Sequence, residues 1–218
     1  MNYKTLERII SKERLSPYLA KHNENWEKAL EHYKANIRIS ESFYSGISIL
    51  EIGLRNNIDL QLKRRYNSNQ WFDDEAFIKD VTSFQIDKIQ DARKTILKEK
   101  RQITPGKLIA ELTFGFWTSL FDTRFERILW KDLRLAFPRC PKVERQRRNV
   151  SSKLNSIRKL RNRIFHHESI SWSYHALITY KNEILEGIDW LNGDLTEYFS
   201  DTIRIEEVLN SQKKHIAY

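Results

Sequence analysis

The sequence predicts an all-α protein, on three observations. Apolar residues recur at three- and four-residue spacing along most of the chain. Only six Gly and four Pro occur among 218 residues, too few for the many tight turns of a β-sandwich or barrel. Hydrophobic residues make up 40% and aromatic residues 12%, with six Trp, nine Tyr and eleven Phe, ample material for a packed core. That composition excludes collagenous, low-complexity and disordered chains.

Residues 25–66 contain no proline and carry a helical stripe of Trp26, Leu30, Tyr33 and Ile37, continued by Phe43, Ile47, Leu50, Leu54, Ile58 and Leu62. Asn36 and Ser40 are cap-type residues inside it, so two helices are expected, the second beginning near Glu41. Asn67, Ser68 and Asn69 form a polar turn before Trp71 and Phe72. Asp73 or Asp74 then caps a short helix, and residues 83–101 form an exposed amphipathic one through Phe84, Ile86, Ile89, Ile96 and Leu97. Thr104 and Pro105 offer a capping hydroxyl and a first-position proline to a central apolar helix over 106–121.

Pro138 and Pro141 punctuate the chain before a long basic helix that is expected to reach about His167. Ser171 or Ser173 starts the next, 174–191, which Asn192 and Gly193 close, and residues 202–209 form a short last helix. There is no internal repeat, Gly/Ser linker or heptad run. One α-helical domain over 1–218 is the economical organisation, with a subdivision near 71–104 as the alternative.

The single Cys140 cannot form an internal disulfide and reads as a loop residue between Pro138 and Pro141. Lys4, Glu7 and Arg8 interrupt the first ten residues, which do not resemble a signal peptide. Mean hydropathy is −0.64, and no run approaches the ~18 apolar residues of a membrane span. A soluble cytoplasmic protein without membrane contact is expected.

The net charge of +9 is concentrated. Residues 142–163 hold nine basic side chains (Lys142, Arg145, Arg147, Arg148, Lys153, Arg158, Lys159, Arg161, Arg163) against Glu144, a net +8, which leaves +1 for everything else. Clustered Arg and Lys bind phosphates and release condensed counterions, so a polyanion such as RNA is a natural partner. A solvated helix face is the plainer explanation of a charge run.

The segment ends Arg161-Asn162-Arg163-Ile164-Phe165-His166-His167-Glu168. On a helix of about 100° per residue, Arg161, Phe165, Asn162 and His166 fall at about 0°, 40°, 100° and 140°, and Glu168 at about −20°, beside a stripe of Leu154, Ile157 and Ile164. RNA cleavage needs these residue types. The 2′-OH must lose a proton, the leaving 5′-oxygen must gain one, and charge on the phosphorane must be stabilised. Histidine serves either proton transfer, and Arg is a fixed bidentate cation. No clustered Asp/Glu pair suggests a two-metal site, so no metal or other cofactor is expected. Without chemistry, Arg163, His166 and His167 would complement a helix dipole.

The Arg161 to His166 segment resembles the R-x4-6-H signature of the HEPN superfamily of helical ribonucleases. Further blocks are similar to its Abi-like (abortive infection, AbiD/AbiF-type) branch: Arg14-Leu15-Ser16, residues 50–56 (LEIGLRN), Gln70-Trp71-Phe72 and residues 112–117 (LTFGFW). The likeness spans about residues 10–190. It implies a HEPN-like helical bundle with additional N-terminal and C-terminal helices, and a homodimer whose two motifs form a composite, metal-independent endoribonuclease site of prokaryotic phage defence or toxin type. It implies catalytic roles for Arg161 and His166, with Asn162 in the polar position and His167 as an alternative histidine. A regulatory RNA or antitoxin is expected to restrain such an enzyme.

Arg145, Arg147, Arg148, Lys153, Arg158, Lys159 and Arg163 are then candidate RNA contacts. Glu51, Arg55, Asn56 and Glu168 are candidate supports of the site, although Glu51 and Arg55 at i and i+4 also suit an intrahelical ion pair worth ~0.3–0.5 kcal/mol. Trp71 and Trp117 are expected in the core rather than as base-stacking platforms. Two other classes remain: a non-catalytic HEPN-like RNA- or protein-binding module, and a helical DNA-binding protein using the basic helix in a major groove.

Overall fold

The computed structural model describes residues 3–216. The helices follow as α1 (Tyr3–Ile10), α2 (Lys12–Lys21), α3 (Trp26–Tyr66), α4 (Glu75–Asp80), α5 (Ser83–Lys98), α6 (Pro105–Glu111), α7 (Phe114–Ser119), α8 (Trp130–Leu133), α9 (Arg147–Phe165), α10 (Tyr174–Leu191), α11 (Asp194–Tyr198) and α12 (Ile205–Gln212). No strand occurs among the described residues, and the class is all-α.

Helix α3 organises the rest. It is one helix of 41 residues, about 60 Å long, rather than the two expected. Ala35, Ile39, Phe43, Ile47, Leu50, Leu54, Ile58 and Leu62 keep an unbroken buried line along it. The expected break fails because Asn36 caps nothing. Its side chain is buried and accepts hydrogen bonds from the Ile170 and Ser171 amides, at 2.8 and 3.2 Å. Asn25 caps the true start, and Asn67, left-handed at φ 48°, closes the end.

The main core gathers α3, α5, α6, α7, α9, α10 and α12, and Trp71, Phe77, Ile89 and Ile96 belong to it, so segment 71–104 shares the core of the other helices. Trp71 and Trp117 are sealed inside, donating to Asp59 Oδ1 and the Leu112 carbonyl. A second, smaller cluster of Leu15, Tyr18, Leu19, Ala29 and Leu30 seats α2 on the first turns of α3.

The single apolar helix expected over 106–121 is two. Helix α6 stops at Glu111, and the Thr113 hydroxyl caps α7 by accepting from the Phe116 amide. Apolar periodicity runs across the junction because both pieces bury Leu, Ile and Phe in the same core. Asn192 ends α10, yet Gly193 is not left-handed as a closing glycine would be.

Helix α3 crosses α10 closely where side chains are missing. A Cβ at Gly187 would lie 3.0 Å from Leu50 Cδ1, and one at Gly46 would lie 3.0 Å from Ile184 Cγ2. Gly187→Val should therefore overpack the crossing and lower unfolding free energy by about 1–3 kcal/mol, read as a lower urea midpoint, whereas Gly106→Ala, which meets nothing, should not.

Candidate functional site

The basic helix ends earlier than its pattern suggests. Phe165 is the last residue of α9, and His166 is its C-cap, with its amide bonded to the Asn162 carbonyl. His167 follows at φ 56°, its amide bonding the Ile164 carbonyl, while the Glu168 amide bonds that of Arg163. That is a Schellman closure with histidine in the left-handed place usually held by glycine. His166, His167 and Glu168 thus leave the helical wheel and lie on an exposed turn.

This turn is held from several sides. The Arg14 guanidinium donates to the His167 carbonyl, and that of Arg163 donates to the Ser169 carbonyl. Arg163 Nε also lies 3.6 Å from Glu168 Oε2. Beyond it, Asn36 of α3 binds the Ile170 and Ser171 amides. His32, fully buried on α3, hydrogen-bonds the Ser171 carbonyl through Nε2 at 3.0 Å. A carbonyl only accepts, so Nε2 carries the proton and Nδ1 accepts from His22 Nε2 at 3.1 Å. Burial lowers the pKa of both histidines, and nearby positive charges add to the effect: His22 and Lys21 for His32, Lys28 and Lys21 for His22.

Arg161 lies between α9 and α3, in a groove of about 260 Å³ shared with Glu51, Arg55, Tyr44, Ile52 and Phe165. Its guanidinium carbon is 4.3 Å from the centre of the Phe165 ring, and its Nε is 3.8 Å from Glu51 Oε2. The two side chains are 30% and 25% exposed, so the ion pair is sheltered and still reachable. Burial raises the Glu51 pKa, opposed by Arg161, Arg55 and the Phe114 backbone. Of the two uses open to Glu51, the structure gives it the contact with α9 and not the ion pair with Arg55, whose Nε donates to Asn56 Oδ1 at 3.3 Å. Asn56 itself is exposed and Asn162 half-buried.

The basic residues divide. Arg147 is 11% exposed, bonds the Phe121 carbonyl and pairs with Glu126 at 3.1 Å. Lys153 pairs with Glu186 and sits 4.4 Å over the Trp190 ring. These two, with Arg163, fasten α9 to its surroundings. Arg145, Arg148, Arg158 and Lys159 have no carboxylate within ion-pair distance among the described residues. Composition did not mark His32 or Asn36 as holders of the motif loop. Their signal is weak: two polar residues on the buried side of an apolar stripe.

Cys140 is a buried loop residue, and burial pushes its thiol up to about 11, which disfavours a nucleophile. Among the described residues no three His, Cys, Asp or Glu side chains converge as metal ligands, and no helix is long and apolar enough to cross a membrane. Comparison with protein families, with curated proteins and with solved structures returned no match.

Two outcomes follow. A histidine whose folded pKa lies below its ordinary ~6.5 costs stability once the unfolded chain can take up protons, so stability should fall as pH drops through about 6.5. Melting temperatures at pH 7.5 and 5.5 should differ less for His22→Gln than for the parent. His167→Gly should hold or raise the melting temperature, since glycine meets the left-handed backbone without strain.

Proposed function

We propose that the chain is a metal-independent endoribonuclease of the prokaryotic abortive-infection or toxin type, working in the cytoplasm as a homodimer on RNA and without a cofactor. The carrying observation is Arg161. It is a sheltered, oriented guanidinium in a groove with Phe165 and Glu51, three residues after Arg158, which has no carboxylate partner among the described residues, and five residues before a solvent-open His166 on the turn that closes α9.

In this scheme the scissile phosphate sits against Arg161, which stabilises charge as the 2′-oxygen attacks phosphorus. His166 moves a proton, to the leaving 5′-oxygen or from the 2′-OH, and Asn162 orients phosphate or imidazole. The products are a 2′,3′-cyclic phosphate and a 5′-hydroxyl. One histidine cannot act as acid and base in the same step, and a symmetric pair of chains brings two. The exposed Ile37, Tyr44 and Phe165 give the groove an apolar flank suited to a second copy. A regulatory RNA or antitoxin would keep such an enzyme silent.

A second possibility is a non-catalytic HEPN-like module that holds RNA or protein, in which the Arg161–Glu51 pair only joins α9 to α3. A DNA-binding helix is disfavoured by packing. Helix α9 lies against α3, α7 and α10 with Val150, Leu154, Ile157 and Leu160 buried, and so does not protrude as a helix entering a major groove must.

Incubation of the purified protein with total RNA in EDTA, beside Arg161→Ala and His166→Ala, tests the proposal. The parent should cut, leaving cyclic phosphate ends, and each variant should lose about 100-fold or more in rate. His167→Gly should cut like the parent. Intact RNA with every protein would move the assignment to the binding module, and cutting by both Ala variants would place the reaction elsewhere.

A further inference from the structure

We infer that the cavity between α5, α7 and α9 is a subsite for one nucleotide of a single RNA strand, next to the phosphate held at Arg161; this rests on the RNA reading above. The cavity is about 380 Å³, within the size range of small-ligand sites. It opens beside the same flank of α9 as the Arg161 groove. Arg158 lies three residues before Arg161, about 60° around the helix and about 4.5 Å along it. The first turn of α7 lies between the two spaces: Phe114 approaches Glu51, and Gly115 lines the cavity.

The lining suits a nucleotide. Arg158 is held in a fixed pose, with Nε and Nη2 at 3.2 and 3.1 Å from Asn155 Oδ1. Asn155 is in turn anchored through Nδ2 to the Ser151 carbonyl at 2.9 Å. The fork therefore binds a neutral amide, keeps its whole charge and still presents Nη1, as a phosphate site requires. Arg124 lines the same cavity without an ion-pair partner among the described residues. Phe84 stands at the cavity, 46% exposed, with the Lys88 ammonium 5.8 Å from its ring centre, and offers a ring for a base to stack on. Asp122 supplies an acceptor for a ribose hydroxyl or base amine.

The wall behind them is rigid. Thr82 Oγ1 donates to Gln85 Oε1 at 2.6 Å, Gln85 Nε2 donates to Ser119 Oγ at 2.9 Å, and Ser119 Oγ donates to the Phe116 carbonyl at 2.7 Å. A chain of satisfied polar groups costs little to hold open and keeps the cavity from collapsing. With a phosphate on Arg158 and the next on Arg161, the strand would run along α9 with one base over Phe84.

The test uses the full chain and a labelled single-stranded RNA with 2′-O-methyl riboses, which binds but cannot undergo 2′-OH attack, so the result is independent of catalysis. Arg124→Ala with Arg158→Ala should weaken binding about tenfold or more and flatten the slope of log K against log salt by about 0.7, the loss of the one phosphate contact the subsite makes. Phe84→Ala should weaken binding about tenfold with the slope unchanged, because stacking releases no counterions. Arg158→Lys should keep the slope and lose affinity. Unchanged affinity and slope in the double Arg variant, with parent-like melting, would overturn the subsite even if the parent protein cuts RNA. So would uridine 5′-monophosphate binding more tightly than the oligomer, which would make the cavity a free-nucleotide site. If the expected pattern appears and no cleavage is seen, the subsite stands and the endoribonuclease assignment falls.

Discussion

The unbroken course of α3 is the constraint on which the rest depends. One face supplies the apolar line on which α7, α9, α10 and α12 pack. Three polar residues on the same helix, His32, Asn36 and Glu51, each meet a group in or after the Arg161 to His166 segment. Burying an amide or carbonyl without a partner costs about 1–3 kcal/mol, so the His32 and Asn36 contacts fix the loop after α9 in one arrangement, and the Glu51 pair joins α9 itself to α3. Helix α3 acts as a ruler along which the end of α9 is set.

The residue pattern made the fold class and most helices legible, because apolar spacing and N-cap chemistry act locally. Ser173 at the start of α10, Thr104-Pro105 at the start of α6 and the sealed Trp71 and Trp117 are examples. The misjudged boundaries have two causes. Asn36 and His167 depend on a partner distant in the chain or on a backbone state that periodicity does not report, whereas Thr113 is a local cap masked by apolar spacing that runs across it. Asn36 looked like a cap and serves a loop 134 residues away. His167 looked like a helical residue and ends the helix.

The candidate site was legible as a set of residue types and much less as a geometry. A run of nine cations says nothing about which are neutralised, because Glu126, Glu186 and Glu51 lie outside the run. Arg147, Lys153 and Arg163 have carboxylate partners, whereas Arg145, Arg148, Arg158 and Lys159 have none among the described residues. Glu51 was readable as a support of the site or as a partner of Arg55, and the packing of α3 on α9 gives it the first, where burial and the cation act on its carboxyl in opposite directions.

In the proposed enzyme α3 sets the Arg161 guanidinium through Glu51. A double-mutant cycle on RNA cleavage, with Glu51→Gln and Arg161→Lys, reads that coupling most directly. Each variant alone should slow cleavage, and the pair together should be no slower than Arg161→Lys. Losses that multiply independently in the double variant, or a parent protein that leaves RNA intact, would contradict it.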